Sequence, residues 1–155
     1  MKYWLMKSEP SVYSIDHLGG QKNKTDYWDG IRNYQARNFI RDDMSVGDLA
    51  FFYHSNCDEP GIVGIVEIVR SAYPDHTAFD PEEKYFDPKS DPEDPRWFMV
   101  DVRFKRKFRC GVFLKEIRAQ KKLQKMRLVQ RGNRLSILPV TRAEWNQILR
   151  MTGEN

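Results

Sequence analysis

Residues 28–38 of this 155-residue chain combine side chains that recognise bases and phosphates. Eleven positions hold two aromatic residues, Trp28 and Tyr34, together with two arginines, two asparagines and a glutamine. Arginine and side-chain amides bind base edges and phosphate groups, and aromatic rings are surfaces on which bases stack. Few segments that only build a hydrophobic core have this composition. The segment therefore predicts part of a pocket for a flat ligand that forms many hydrogen bonds.

Polar side chains also stand where two predicted strands end. Because strand ends can meet at one rim of a small barrel, we expect these side chains to lie at the mouth of the same pocket. An asparagine offers both a donor and an acceptor to the Watson–Crick edge of a base. The alternative is that residues 55–58 form only a turn. The residues at these two strand ends are Lys7, Ser8, His54, Ser55 and Asn56.

A helix is predicted to begin after Asn33, a good N-cap residue, and to run to about Asp43. Free backbone N–H groups and the helix dipole at such a terminus favour an anion or an acceptor-rich base edge. Trp28 precedes this helix, so its ring is predicted to form a wall of the pocket, with anchoring of the loop in the core as the alternative. Trp97 is a second candidate for the wall or for the core. The side chains predicted to contact the ligand at the helix start are Arg32, Asn33, Tyr34 and Gln35.

The net charge of +4 understates how unevenly the charges are distributed. Thirteen lysines and arginines lie between positions 103 and 134 against one acid, whereas positions 75–101 carry nine acids against three bases. Such separation produces a surface field that steers polyanions to one face. A solvated basic face is the alternative, and Arg37 is as well suited to pair with a surface carboxylate as with phosphate. The predicted phosphate contacts are Arg37, Lys105, Lys107 and Lys122.

The pattern of apolar residues predicts an α+β fold in one domain, residues 1–155, with five or six mostly buried strands and several short helices. The strands are expected to form an open or closed β-barrel with helical insertions. A proline-rich and acidic loop is expected between residues 73 and 96. Strands are predicted at 2–6, 49–53, 62–69, 97–108 and 135–138, and helical segments at 14–19, 33–43, 114–119, 123–128 and after the capping box at 141–144.

Cysteine and histidine usage predicts neither a disulfide nor a metal site. Cys57 and Cys110 are far apart, no signal peptide precedes Met1, and no apolar run reaches the roughly 20 residues of a membrane span. We therefore expect reduced thiols, a cytoplasmic protein and no membrane partner. His54 and Cys57 have the spacing of one pair of zinc ligands, but the sequence offers no second pair. No cofactor is expected.

The segments described above belong to longer motifs that resemble the EVE domain family over nearly the whole chain. Two of these motifs are long, Tyr3–Pro10 and Trp28–Asn38, and they retain their order along the sequence. Their number and order make a chance likeness implausible. The remaining matching segments are 51–56, 60–64, 72–75, 87–90, 95–97, 134–136, 139–140 and 144–145.

The resemblance implies a PUA-like fold, which is a small β-barrel of five to six strands with flanking short helices, related in shape to YTH domains. It further implies a reader of a modified base, a modified cytosine or adenine in DNA or RNA. Lys7 and Ser8 match the Lys-Ser of the YTH pattern, and Trp28 stands where one cage tryptophan would. For the second aromatic of the cage, Trp97 and Tyr53 are both candidates.

A catalytic role is the main alternative. Lys7, Glu9, Asp29 and His54 are residue types that hydrolyse nucleic acid or a nucleotide-like small molecule, and some PUA-like relatives resembling this barrel are hydrolases. The chain nonetheless lacks a Gly-x-Ser-x-Gly nucleophile motif and a glycine loop that cradles phosphate. We therefore expect a binding protein without catalytic residues. A protein-interaction module is a weaker third possibility.

Overall fold

All six strands of the protein join in one mixed sheet. The computed structural model describes residues 1–154. The first and third strands are parallel and every other neighbouring pair is antiparallel. The order across the sheet is β2-β5-β4-β3-β1-β6. The strands are β1 (Tyr3–Ser8), β2 (Thr25–Trp28), β3 (Leu49–His54), β4 (Gly61–Pro74), β5 (Phe98–Phe113) and β6 (Ile137–Val140).

The two long strands at the centre bend the sheet. The register between β4 and β5 shifts four times, at Ile62/Gly64, Ile65/Val66, Ile68/Arg70 and Arg70/Tyr73. Each irregularity of this kind bends a strand and increases its twist. The bend carries β2 over the core toward β3, where the Trp28 ring meets Phe52 edge-on at 5.4 Å between centroids. The edge strands β2 and β6 are not hydrogen-bonded to each other, so the barrel is not closed.

Four short helices cover the sheet, and side-chain caps explain where three of them begin. Ser14 and Thr141 each form a capping box, and Asn33 accepts a hydrogen bond from the Ala36 N–H at 3.0 Å. The second helix continues as a wider turn over Phe39–Asp43. The helices are α1 (Ile15–Gly19), α2 (Tyr34–Asn38), α3 (Leu114–Ala119) and α4 (Arg142–Met151), with single 3₁₀ turns at 22–24, 76–78, 121–123 and 127–129.

Alternating side chains of the sheet build two hydrophobic clusters. Met6 and Phe52 face α1, α2 and β2, whereas Leu5 and Phe51 face α3 and α4. In the second cluster the rings of Phe51 and Trp145 stack at 3.8 Å between centroids. The first cluster therefore holds β2 and α2 against the sheet, and these two elements border the candidate site.

These elements confirm the predicted α+β fold and the number of strands. β5 continues five residues beyond its predicted end, to Phe113, and β6 lies two residues later than predicted, with Pro139 tolerated because β6 is an edge strand. The predicted helical segment at 123–128 consists of 3₁₀ turns on either side of Gln124–Met126. β2 is not among the predicted strands.

The remaining expectations concern membranes and thiols. Among residues 1–154, none of the helices is long and apolar enough to pass through a bilayer. Cys57 and Cys110 are both free thiols. Within the same residues, no three His, Cys, Asp or Glu side chains are grouped so as to hold a metal ion. The cytoplasmic location stays a prediction.

Candidate functional site

A cavity of about 490 Å³ opens where β2 approaches the ends of β1 and β3. The ends of the parallel strands β1 and β3 supply one side, β2 and the loop after it supply the other, and the segment before β6 forms part of the rim. The lining residues are Lys7, Ser8, Glu9, Val12, Tyr13, Asp26, Tyr27, Trp28, Asp29, Gly30, Ile31, Ser55, Tyr85, Arg134 and Ser136.

Trp28 belongs both to the core and to the cavity wall. It is 7% exposed, it packs edge-on against Phe52, and its backbone pairs with Val100 of β5. Trp28 is also one of the residues that line the cavity. The sequence left open whether Trp28 is a pocket wall or a core anchor, and in the structure it has both positions.

A buried carboxylate holds the loop that follows Trp28. Asp75 is fully buried and accepts hydrogen bonds from the Gly30 N–H at 3.0 Å, Arg32 Nη1 at 2.9 Å and the Thr77 N–H at 2.9 Å. Burial alone would raise the pKa of Asp75, but the hydrogen bonds from Thr77, Gly30 and Arg32 outweigh it and lower the pKa below its ordinary value. The ionised carboxylate thus fixes the backbone of the cavity wall.

Arg32 also anchors the long acidic loop. Its Nε donates to the Tyr85 carbonyl oxygen at 3.0 Å, and the Tyr85 ring packs directly on Gly30. Gly30 has a φ of +79°, and a Cβ at that position would lie 2.6 Å from Tyr85 Cδ2. Arg32 was predicted to contact the ligand; in the structure it instead ties together two segments that line the cavity.

On the opposite side of the cavity, two hydrogen bonds in series connect β1 to the turn after it and that turn to β2. Ser8 Oγ donates to the Tyr13 carbonyl oxygen at 2.6 Å, and the Tyr13 hydroxyl donates to Asp26 Oδ2 at 2.6 Å. Burial and the neighbouring Asp26 raise the pKa of Tyr13 well above its ordinary value. The Tyr13 hydroxyl is therefore a permanent donor that joins the turn after β1 to the edge strand β2.

Two basic groups at the cavity have no acidic partner within the part of the chain that the structure describes. Lys7 is half-buried, its Nζ lies 5.8 Å from the centroid of the Tyr53 ring, and burial lowers its pKa. Arg134 is exposed at the rim. Neither residue takes part in the salt bridges of the structure. Both are available to a ligand.

Four of the predicted pocket residues line the cavity, Lys7, Ser8, Trp28 and Ser55, and the others lie outside its lining. Asn33 caps α2, and Gln35 is exposed on the same helix. Asn56 donates to Glu9 Oε1 at 2.7 Å and so braces the turn after β1.

The remaining predicted pocket residues are engaged within the protein. His54 Nε2 accepts the Ile15 N–H at 3.1 Å, and burial lowers the pKa of the imidazole. Tyr34 stacks on Trp97 at 4.9 Å between centroids, and Trp97 Nε1 donates to Asp87 Oδ2 at 2.7 Å. Tyr34 and Trp97 form a separate aromatic pair beside α2.

The predicted phosphate contacts differ in how free their side chains are. Arg37 donates to the Arg96 carbonyl oxygen at 2.9 Å, Lys105 lies 3.7 Å from Glu67, and Lys107 is 2.8 Å from Asp16. Lys122 is exposed and forms no ion pair with residues 1–154. Exposed basic residues without an ion pair lie together in what we call the basic segment, Lys121, Lys122, Lys125, Arg127, Arg131 and Arg134.

Several cavity residues were not singled out from the sequence as ligand contacts. Asp29 lies within the Trp28–Asn38 motif, but its carboxylate was considered only for catalysis. Arg134 and Ser136 precede the last strand and were noticed only as part of a family motif. Tyr85 carries no signal beyond being an aromatic residue in a long loop, because its place against Gly30 depends on tertiary contacts.

A profile of the EVE domain family matches residues 2–151, almost the entire chain. The chain belongs to the EVE domain family. As a relative of this EVE domain, thymocyte nuclear protein 1 of Gallus gallus is 46% identical over 98% of this chain and 69% of its own length.

Solved structures similar to this EVE domain have the same fold. A hypothetical protein from Leishmania major is 50% identical, covers 99% of this chain and 95% of its own, and superposes with a TM-score of 0.93. The human THYN1 protein was solved in complex with DNA that contains 5-methylcytosine. It is 43% identical, covers 100% of this chain and 99% of its own, and has a TM-score of 0.93.

Proposed function

We propose that this EVE domain is a reader of 5-methylcytosine in DNA and that it binds the modified base, flipped out of the stack, in the cavity where β2 approaches the ends of β1 and β3. The observation that carries the proposal is the cavity itself, an opening lined by Trp28 and by two basic groups that form no ion pair with residues 1–154. The complex of the human relative with DNA containing 5-methylcytosine supports the choice of nucleic acid and of modification.

The size and lining of the cavity suit a single nucleotide. A volume of about 490 Å³ falls within the range of small-molecule sites, roughly 300–1,000 Å³. Stacking of a base on an aromatic side chain contributes about 1–3 kcal/mol. Burial of the 5-methyl group adds about 0.8 kcal/mol, which corresponds to a severalfold preference for the methylated base. Aromatic lining is supplied by Tyr13, Tyr27, Trp28 and Tyr85.

The basic segment supports a path for the phosphate backbone that leads to the cavity. Arg134 belongs both to this segment and to the rim. Arginine and lysine side chains that contact phosphates give affinity that falls with salt and carries no sequence information. Lys105 and Lys107, which already face Glu67 and Asp16, are weaker candidates for this path than Lys122.

Extrusion of a base from a duplex costs a few kcal/mol. We therefore infer that single strands, or bases near an end or a mismatch, bind more tightly than the interior of an intact duplex. An RNA strand with the same modification is the relevant competitor, and tighter binding of RNA than of DNA would correct the proposal.

We further infer that binding proceeds without turnover. Two of the four residues considered for catalysis are engaged within the protein: His54 Nε2 accepts the Ile15 N–H, and Glu9 accepts a hydrogen bond from Asn56. A general base needs a free lone pair within reach of the substrate proton. These contacts favour a binding role over the hydrolase or nuclease alternative.

Calorimetry with two single-stranded DNAs that differ only by one 5-methyl group tests the proposal. We expect the methylated strand to bind severalfold more tightly, and Tyr85→Leu to weaken its binding. Tyr34→Leu changes an aromatic residue outside the cavity lining and serves as the matched control. Equal affinities for the two strands would leave a general nucleic-acid binder, and cleavage or base release after incubation would establish the enzyme alternative.

A further inference from the structure

We propose that Asp29 selects cytosine over thymine by accepting a hydrogen bond from the exocyclic amino group of the bound base. The inference rests on the proposed function, because it names the group in the cavity that identifies the base. It concerns the two bases that are hardest for the cavity to distinguish, 5-methylcytosine and thymine. Both 5-methylcytosine and thymine are pyrimidines with a methyl group at position 5, so stacking and methyl burial treat them alike.

The carboxylates of the cavity differ in the hydrogen bonds that they already accept from other residues. Glu9 Oε1 accepts a hydrogen bond from Asn56 Nδ2 at 2.7 Å. Asp26 accepts from the Tyr13 hydroxyl at 2.6 Å and from the Tyr27 N–H at 2.9 Å. Both therefore complete the walls of the cavity rather than offer their oxygens to a ligand.

Asp29 is different, because none of the side-chain hydrogen bonds among residues 1–154 ends at its carboxylate, which has the Thr77 hydroxyl and its own backbone N–H as close neighbours. The nearby hydroxyl of Thr77 donates to Asp75 Oδ1 at 2.6 Å, so its hydrogen is used there. Burial and the adjacent Asp75 raise the pKa of Asp29. A half-buried carboxylate in this position gains from a donor that a ligand brings with it.

The backbone around Asp29 is held in place. Asp29 directly follows Trp28, and the next residue, Gly30, donates its N–H to the buried Asp75. The Tyr85 ring covers Gly30 from the other side. Asp29 thus stands beside the aromatic wall on a fixed segment, which is what a group that distinguishes two similar bases requires.

The chemistry of position 4 then decides between the two bases. Cytosine carries an amino group there, which donates to a carboxylate, whereas thymine carries a carbonyl oxygen, which a carboxylate repels. Lys7 contributes on the same cavity as a free donor, which suits the N3 and O2 acceptors of cytosine. Thymine carries a hydrogen at N3, and a lysine ammonium cannot accept a hydrogen bond from it.

The test compares single strands that carry 5-methylcytosine, cytosine or thymine at one position. We expect the wild-type protein to prefer 5-methylcytosine over thymine by about tenfold or more, in line with the discrimination that one well-placed base contact gives. Asp29→Asn should lower this ratio severalfold, because an amide accepts from an amino group and donates to a carbonyl, and only the smaller preference that Lys7 contributes should remain. Asp29→Glu keeps the carboxylate and should retain a preference for 5-methylcytosine.

Glu9→Gln is the matched control, since it removes the same charge from the same cavity at a carboxylate that Asn56 already occupies. It should shift the affinities for all three strands together and leave their ratios unchanged. An unaltered ratio in Asp29→Asn, with a preference for 5-methylcytosine over cytosine intact, would overturn the role of Asp29 and leave the proposed function standing. No preference among the strands in the wild-type protein would overturn the proposed function itself.

Discussion

Single residues of the cavity fall into two sets, those that the protein satisfies internally and those that it leaves open. The first set includes Arg32, Asp26 and Glu9, whose side chains form hydrogen bonds with other residues around the cavity. Lys7 and Asp29 are half-buried without a committed partner in the described chain. Two groups of opposite charge at one opening suit a ligand that offers an acceptor to one and a donor to the other.

His54 supplies a prediction at this scale. Its neutral Nε2 accepts the Ile15 N–H, and burial lowers the pKa of the imidazole below 6.5. Because the unfolded chain binds the proton more readily than the folded one, the stability that His54 contributes is present above pH 6.5 and is lost as the pH falls below it. Chemical denaturation at a series of pH values should show this decline.

His54→Gln keeps an acceptor for the Ile15 N–H and removes the titration, so the decline between pH 6.5 and pH 5 should be smaller in this variant. His76→Gln, at an exposed histidine on a 3₁₀ turn, is the control for loss of a histidine. An identical pH dependence in wild type and His54→Gln would refute the assignment.

At the scale of elements, the segment between β2 and α2 determines the shape of the cavity. Asp75 and Arg32 hold its backbone, and Tyr85 of the long loop rests on Gly30. The loop carries much of the acidic charge of the chain, yet it contributes to the cavity through an aromatic ring. Two segments that are 55 residues apart in sequence, around Gly30 and Tyr85, therefore act as one wall.

Gly30→Ala tests this wall. A left-handed backbone costs a residue with a Cβ about 1–2 kcal/mol, and the clash with the Tyr85 ring adds to that cost. Gly132→Ala is the matched control, because Gly132 has the same φ of +79° with nothing within 4 Å of the added Cβ. The midpoint temperature of thermal unfolding and the affinity for DNA should both fall further in Gly30→Ala than in Gly132→Ala. Equal losses in the two variants would show that Tyr85 does not press on this position.

Local patterns predicted most elements, whereas contacts between distant residues decided the site. Patterns of apolar residues and capping residues identified five of the six strands, both ends of α1 and the start of α4. β2 was not predicted, because only Trp28 of its four residues is buried and the strand therefore has no alternating apolar pattern. Arg32 was expected to face the ligand, since nothing in the local sequence indicates that its carboxylate partner, Asp75, lies 43 residues away.

At the scale of the whole molecule, the uneven charge distribution gives the cavity a basic approach. The basic segment carries six exposed lysines and arginines without an ion pair to the described residues, and Arg134 joins it to the rim. On β5, by contrast, Arg103 and Lys105 face Glu67, and Lys107 faces Asp16. The two basic surfaces therefore differ in the charge that they offer to a phosphate backbone.

Charge reversal separates these two surfaces. Replacing Lys122, Lys125 and Arg131 by glutamate should weaken DNA binding and flatten its salt dependence, by a slope of about one for each phosphate that the protein no longer neutralises. The same change at Lys105 and Lys107 should have a smaller effect, since acidic residues already offset their charge. Binding of an isolated 5-methyl nucleoside should be unaffected in both variants. A larger effect of the β5 variant would reassign the phosphate path.

The central claim is that the modified base enters the cavity, and photo-crosslinking tests it most directly. A single-stranded DNA with 5-iodocytosine at one position carries iodine in place of the methyl group, and irradiation joins that position to an adjacent aromatic side chain. Mass spectrometry of the digested protein should locate the crosslink at Tyr13, Tyr27, Trp28 or Tyr85, which line the cavity. Crosslinks confined to the Tyr34–Trp97 pair or to the basic segment would contradict the account.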